Sequence, residues 1–433
     1  MTEYRNVLAL IFAVGFLQLA GGLIGVITPL GLDGMGVGAP LIGVVAALHA
    51  VGFMVGAWTA PRMMSRIGNI RVYSAAAALN TASILAMALV ADPIGRGALR
   101  LLQGVVFAWM FTSIESWLSS STPAAVRGGV TGFYHVVAKA ALLIGPFMAA
   151  GATALSPDPL LFAGIFCAVS LVPICMTRRD QPAPPRSGAI SPVALFRLAP
   201  AAVIGAFAAG LINTGTTALL PLLAQSLLRD GESATTAAAQ IAAAAWIGGL
   251  LSQWPAGRFS DRVDRRSVVA GMAFFSAIVA LILAAGFAVF DRSVLLILIA
   301  VWGAGSLSSY GVSVAHGIDR AEIDEIPQLM SGLLFVWAIG SVVGPPLSGA
   351  VMRTSLGPAG LFVFAAIGSF LLTGTMLVRR QAREPVPDAD AERWEIAQPL
   401  SVAGGELDPR NPTTPGDAKP FPEFDENGEQ SPS

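Results

Sequence analysis

From Val7 to Leu32, and again from Ser267 to Phe290, the chain carries no charged side chain. Each run exceeds the roughly 18 to 20 apolar residues with which an α-helix crosses the hydrocarbon core of a bilayer. No water satisfies the backbone there, so a crossing segment is either a helix bonded within itself or a strand of a closed barrel. Barrel strands alternate apolar and polar residues, and these runs do not. The chain therefore reads as an all-α membrane protein. Composition agrees, because 54% of its residues are apolar and 12% charged, against about 25% charged in a soluble globular domain.

Apolar runs between polar breaks predict twelve transmembrane helices in two pseudo-symmetric six-helix bundles. The first six lie near residues 7–30, 40–61, 72–91, 97–118, 129–153 and 159–177. The second six lie near 200–228, 235–257, 267–290, 293–316, 328–352 and 359–378. The opening run is too long for the apolar region of a secretory signal, about 7 to 15 residues, and reads as a permanent span. Residues 1–177 then form one bundle, 178–199 a Pro-, Ser- and Arg-rich linker, and 200–380 the second bundle. The acidic, Pro-rich stretch 381–433 reads as a disordered, solvated tail. The Ala-rich stretch Ala234 to Ala245 reads as a close-packing helix face.

Charge placement sets the orientation. With the amino terminus in the cytoplasm, the inner loops hold Arg62, Arg66, Arg71, Arg127, the cluster from Arg258 to Arg266, Arg320, Arg379 and Arg380. The outer side holds Arg96, Arg229, Arg292 and Arg353. This is the positive-inside bias, and one missed span would invert every later loop. Both termini are expected in the cytoplasm of a cell that carries the protein in its plasma or inner membrane. Cys167 and Cys175 fall about 12 Å apart along one helix, too far for a disulfide. Neither a metal site nor a cofactor is expected, and no Gly-Lys-Ser/Thr phosphate loop points to direct use of ATP.

Several short motifs carry a family resemblance. Gly257-Arg258-Phe259-Ser260-Asp261-Arg262, continuing to Arg265 and Arg266, resembles the loop signature that the major facilitator superfamily repeats after its second and eighth spans. In the first half Ser65-Arg66-Ile67-Gly68 keeps the Arg and Gly but has Ser for the Asp, which implies a weaker latch there. Arg100-Leu101-Leu102-Gln103-Gly104 resembles the family's Arg-x-x-Gln-Gly motif, which implies proton or substrate coupling. Helical spacing puts Arg100, Gln103, Phe107 and Phe111 on one face. Pro123, Arg127 and Gly128 with Gly145-Pro146, and Gly344-Pro345 in span eleven, are similar to the bends of exporters and imply pivots. The stretch from Tyr310 through His316 to Asp319 and Arg320, with Glu115-Ser116-Trp117-Leu118, resembles the YcaD subgroup. The resemblance runs from about Val7 to Arg380.

A charge inside the bilayer costs roughly 3 kcal/mol or more, so it demands a partner or a watery cavity. Lys139 sits near mid-depth of span five, and the first six spans offer no carboxylate at that depth. Either its pKa falls or an anionic or zwitterionic solute supplies the missing charge. His135 and His49 could titrate near neutral pH. Glu115 lies near an inner helix end, where pairing with Arg127 or acceptance of a proton are both open. Gln18 in span one and Asn213 in span seven sit at echoing positions and are expected to face a central site between related halves.

The expected function is secondary active transport of a small organic solute by alternating access, coupled to protons and directed outward, by a monomer that binds no nucleic acid. Two alternatives stay open, an importer of organic anions and a transporter-like solute sensor without turnover. A membrane enzyme is disfavoured, because no nucleophile-base pair or metal-ligand cluster is visible.

Overall fold

The computed structural model describes residues 2–122, 126–153, 155–176, 192–382, 384 and 391–410. Among them, twelve helices are long and apolar enough to cross a membrane, numbered here α1 to α12. The first six are α1 (Val7–Gly34), α2 (Ala39–Ile67), α3 (Asn69–Leu89), α4 (Pro93–Ser121), α5 (Arg127–Ala149) and α6 (Asp158–Cys175). The second six are α7 (Pro200–Leu227), α8 (Ala234–Ser260), α9 (Arg265–Gly286), α10 (Arg292–Ile318), α11 (Ile326–Met352) and α12 (Gly357–Ala382). Every expected span has its helix, with ends that differ by a few residues.

Glycines set how the helices meet. A Cβ on Gly52 of α2 would stand 1.9 Å from the Leu101 carbonyl oxygen of α4, and one on Gly104 would stand 2.1 Å from that of His49. The second bundle repeats the contact: a Cβ on Gly248 of α8 would meet the Ala300 oxygen at 1.8 Å, and one on Gly303 of α10 the Ala245 oxygen at 2.2 Å. Helices in lipid associate by such close packing, because no hydrophobic force drives them together. The buried faces of Ala237, Ala238, Ala239 and Ala245 serve the same end. Gly104→Val should therefore wedge α2 from α4 at a cost of about 1 to 3 kcal/mol. A lowered melting temperature in detergent would show it, while Gly129→Val, where a Cβ meets nothing within 4 Å, should melt like the parent.

The two Gly-Pro positions both pack closely against the other helices of their bundle but differ in local structure. Gly145 packs against the Leu19 backbone of α1, and the chain tightens to a 3-10 helix over Gly145–Ala149. Gly344 packs correspondingly against the Leu211 backbone of α7, while α11 stays helical through Pro345 and Pro346. In α7 itself the turn Gly210–Thr214 is π-helical, a feature without a sequence signal.

The bundles touch most closely on the arginine-poor side. A Cβ on Gly43 of α2 would stand 2.2 Å from the Pro345 oxygen of α11, and one on Gly349 would stand 2.4 Å from that of Ala39. Beside them Thr235 Oγ1 donates to the Ala152 oxygen at 2.8 Å, and the Gly151 amide to Thr236 Oγ1 at 3.1 Å. That side is closed. On the arginine-rich side, residues 391–410 lie between the bundles and bond to both.

Within the expected linker Pro192–Leu198 forms a short helix, and residues 177–191 lie outside the described ones. One expectation needs correction. The reading of 381–433 as one disordered tail does not hold for 391–410. There Trp394, Ala397, Val402, Ala403 and Leu407 are buried, and Gly404–Leu407 make a helical turn. The acidic average of the whole stretch hid these apolar anchors. Residues 411–433, like Pro123, fall outside the described residues.

Candidate functional site

Between the bundles lies a cavity of about 340 Å³, within the range of small-molecule sites. Its amino-terminal wall carries Gln18 from α1, His49 from α2, Arg100, Gln103 and Phe107 from α4, and Lys139 from α5. Its other wall carries Asn213, Trp246, Gln253, Tyr310 and Trp337 from α7, α8, α10 and α11. No Asp or Glu lines it among the described residues.

Arg100, about a turn inside the outer boundary, has interface snorkelling as its alternative, but its side chain lines the cavity instead. Its Nη1 donates to Gln103 Oε1 at 2.9 Å, while its buried Nε has no hydrogen-bond partner among the described residues. His49 Nδ1 lies 3.4 Å from the Arg100 carbonyl oxygen, and its ring meets Phe107 edge-on at 5.7 Å. Phe107 thus faces the cavity, but Phe111, expected on the same stripe, is buried in the bundle core against Phe107, 4.5 Å away between ring centroids. One helical turn beyond Phe107 the stripe has rotated off the cavity wall.

Lys139 Nζ donates to Gln253 Oε1. The bond crosses from α5 to α8, hence from one bundle to the other, and it brings a neutral amide to the cation. Asn213 is fixed from α10: its Nδ2 donates to the Ser306 oxygen at 3.1 Å, and Ser306 Oγ donates to its Oδ1 at 2.6 Å. The Thr214 and Ser341 hydroxyls, 2.9 Å apart, tie α7 to α11 beside it.

The structure thus brings together Gln18, His49, Arg100, Gln103, Lys139 and Asn213. His135 and Glu115 are not part of the cavity wall. His135 is buried against Tyr134, with ring centroids 5.0 Å apart. Glu115 accepts hydrogen bonds from Tyr134 Oη at 2.9 Å and from Ser401 Oγ. Sequence reasoning, tuned to charges, missed Gln253 and the tryptophans Trp246 and Trp337. A polar amide inside an apolar helix was the available signal for Gln253.

The loop signatures differ as their sequences do. Arg265 reaches Asp261 at 3.2 Å and Asp319, at the end of α10, at 2.6 Å. Asp261 also accepts the Trp394 amide at 2.8 Å, and Gly257 lies under the Trp394 ring, which a Cβ would strike at 2.0 Å. Arg262 is exposed. In the first half, Ser65 Oγ donates to the Arg62 oxygen of its own helix at 2.9 Å, Arg66 is exposed, and Gly68 caps α2 with φ 84°.

Twelve spanning helices in two like bundles, with a largely apolar cavity between them that carries a few polar and charged groups, define a multi-pass membrane transporter. The chain belongs to the Major Facilitator Superfamily, whose sequence profile matches residues 10–254 and 202–416. It is similar to the protein named "Uncharacterized MFS-type transporter YcaD" from Salmonella newport, 23% identical over 390 residues that cover 90% of this chain and 99% of the relative. The protein of that name from Escherichia coli O139:H28 is 24% identical over the same coverage. Among solved structures, a mutant of nucleoside transporter NupG superposes with TM-score 0.73 at 12% identity, covering 88% of this chain and 100% of that one. A D-xylose-proton symporter superposes with TM-score 0.68 at 14% identity, covering 89% and 99%.

Proposed function

We propose that the protein is a secondary active transporter that carries a small organic anion or zwitterion across the cell membrane by alternating access, coupled to protons and directed outward. The observation that carries this reading is the pair Arg100 and Lys139 on a cavity wall that holds no carboxylate among the described residues. Two half-buried cations with no carboxylate beside them on the cavity wall among the described residues favour a ligand that brings negative charge. Trp246, Trp337 and Phe107 supply flat apolar surface for its carbon skeleton, and Gln18, Gln103 and Asn213 supply hydrogen bonds. His49, beside Arg100, is the titratable group placed to couple proton and solute. The pivots at Gly145-Pro146 and Gly344-Pro345, similar to those of exporters, support the outward direction.

A thermal-shift screen of the purified protein with matched organic anions, zwitterions and cations tests the substrate class. A ligand of the folded state raises stability by RT ln(1 + [L]/Kd), about 2.7 kcal/mol at a hundredfold excess over Kd. Stabilisation is expected from anions or zwitterions and not from cations. A cation that stabilises best would sink the substrate class. Accumulation of the hit in inside-out vesicles under an imposed proton gradient tests turnover, and binding without accumulation would leave a sensor instead.

A further inference from the structure

We propose that residues 391–410 are a self-inhibitory plug, a segment of this chain that stoppers the arginine-rich mouth of the central cavity and wedges the two bundles apart. The inference rests on that cavity being the solute site. Three sets of contacts carry it.

The segment anchors in the carboxyl-terminal bundle first. The Trp394 amide bonds to Asp261 at 2.8 Å and the Glu392 amide to Asp319 at 3.1 Å, while Ser331 Oγ of α11 donates to the Val402 oxygen at 3.0 Å. Next it crosses the cavity, where Ala397, Gln398, Pro399 and Leu400 line the same space as Arg100 and Lys139. Finally it seats in the amino-terminal bundle. Ser119 Oγ of α4 donates to the Glu406 oxygen at 2.7 Å, Thr131 Oγ1 of α5 to the Leu407 oxygen at 3.4 Å, and Ser401 to Glu115.

The fit is specific in shape as well as in bonding. Gly257 leaves the space that the Trp394 ring fills, and a Cβ on Gly405 would stand 2.4 Å from Pro327 Cα. The charges of the segment's end are internally neutralised, since Asp408 and Arg410 pair at 2.6 Å with both side chains buried. Pro399 and Leu400 share the cavity with Lys139, so the segment occupies space that a solute bound there would need. Alternating access also requires the ends of α4, α5, α10 and α11 on this side to approach one another, and a segment bonded to α4, α5 and α11 at once stands in their way. Turnover therefore requires the segment to leave.

Accessibility of a reporter thiol tests the plug without any solute. In full-length protein carrying Cys175→Ser, an Ala50→Cys substitution places a thiol on the cavity wall, and inside-out vesicles expose the arginine-rich side to a charged, impermeant maleimide. Two variants unseat the plug from opposite sides: Trp394→Ala removes the anchor, and Gly257→Ala fills its socket. Because labelling follows the fraction of open molecules, each should speed it by about tenfold or more. Buried Cys167 reports the fold and should stay unlabelled throughout. Equal labelling rates in the parent and both variants would overturn the plug, as would acceleration accompanied by labelling of Cys167, which signals loosened helices. Neither result depends on flux, so the transport reading is judged separately.

Discussion

Lys139→Ala is expected to abolish solute flux, a fall of about a hundredfold or more, while the protein still folds and inserts. Lys139 is half-buried and lines the cavity, with Gln253 as its hydrogen-bond partner and no carboxylate on the cavity wall among the described residues. The alanine variant loses one inter-bundle hydrogen bond to Gln253 but strands no charge, so its fold should survive with a small change in melting temperature. What it loses is the charge that the solute's anionic group is proposed to meet. A ligand group left without its charged partner in a desolvated site typically forfeits about 2 to 5 kcal/mol, which accounts for the size of the effect. Lys139→Arg keeps the charge in a bulkier, planar form and should retain part of the flux. Proteoliposome uptake of the ligand found by thermal shift measures all three proteins, and unchanged flux in the alanine variant would remove Lys139 from the mechanism.

The partner matters as much as the cation. Because Gln253 belongs to α8 and Lys139 to α5, their bond ties the bundles together at mid-depth, and under the proposed function an anionic solute would compete for the same ammonium. Solute binding can then release one inter-bundle tie, which is a differential contact between states of the kind a conformational change requires. Gln253→Leu removes the tie and spares the charge, so it should weaken flux less than Lys139→Ala.

The fold was legible because bilayer physics leaves few choices. Uncharged runs such as Val7 to Leu32 can only be helices, and the apolar runs between polar breaks gave their number. The amino-terminal wall of the site was legible in part, since Lys139 is costly in lipid and demanded a partner or a cavity, while Arg100 stood out by its motif with snorkelling to the interface left open. The carboxyl-terminal wall is built of amides, hydroxyls and tryptophans, which cost less in a membrane and leave a weaker mark. Gln253 and Trp246 were missed on that account. Asn213 was found from its echo of Gln18, although the π-helical turn that presents it has no signature. His135 shows the opposite failure: a titratable residue one turn from Lys139 is buried against Tyr134, because helical spacing places neighbours on a face without saying where the cavity ends. The tail was misread because composition averages over length, and the few apolar residues from Trp394 to Leu407 are diluted by the acidic residues around them.

Arg265→Leu should be the most destabilising change in the loop signatures, at about 3 to 5 kcal/mol, the usual consequence of removing one member of a buried ion pair. Arg265 and Asp319 are each 4% exposed at the side chain, so solvent cannot take over the stranded carboxylate, and Asp261 stands on the same guanidinium at 3.2 Å. The pH dependence follows from the sign of the Asp319 shift. Burial raises its carboxyl above the ordinary carboxylate value, with hydrogen bonding and charge from Arg265 opposing. Without Arg265 the carboxyl rises further. A group whose folded pKa exceeds its unfolded pKa contributes stability that is present at low pH and lost as pH climbs through the folded value. The deficit of Arg265→Leu should therefore be largest at neutral and alkaline pH and shrink as pH falls toward the ordinary carboxylate range, where Asp319 takes up a proton and no charge is stranded. Melting temperatures of parent and variant in detergent at several pH values measure the gap. A gap independent of pH would mean that Arg265 stabilises by packing alone, whereas Arg262→Leu, at an exposed position of the same loop, should leave the melting temperature where it was.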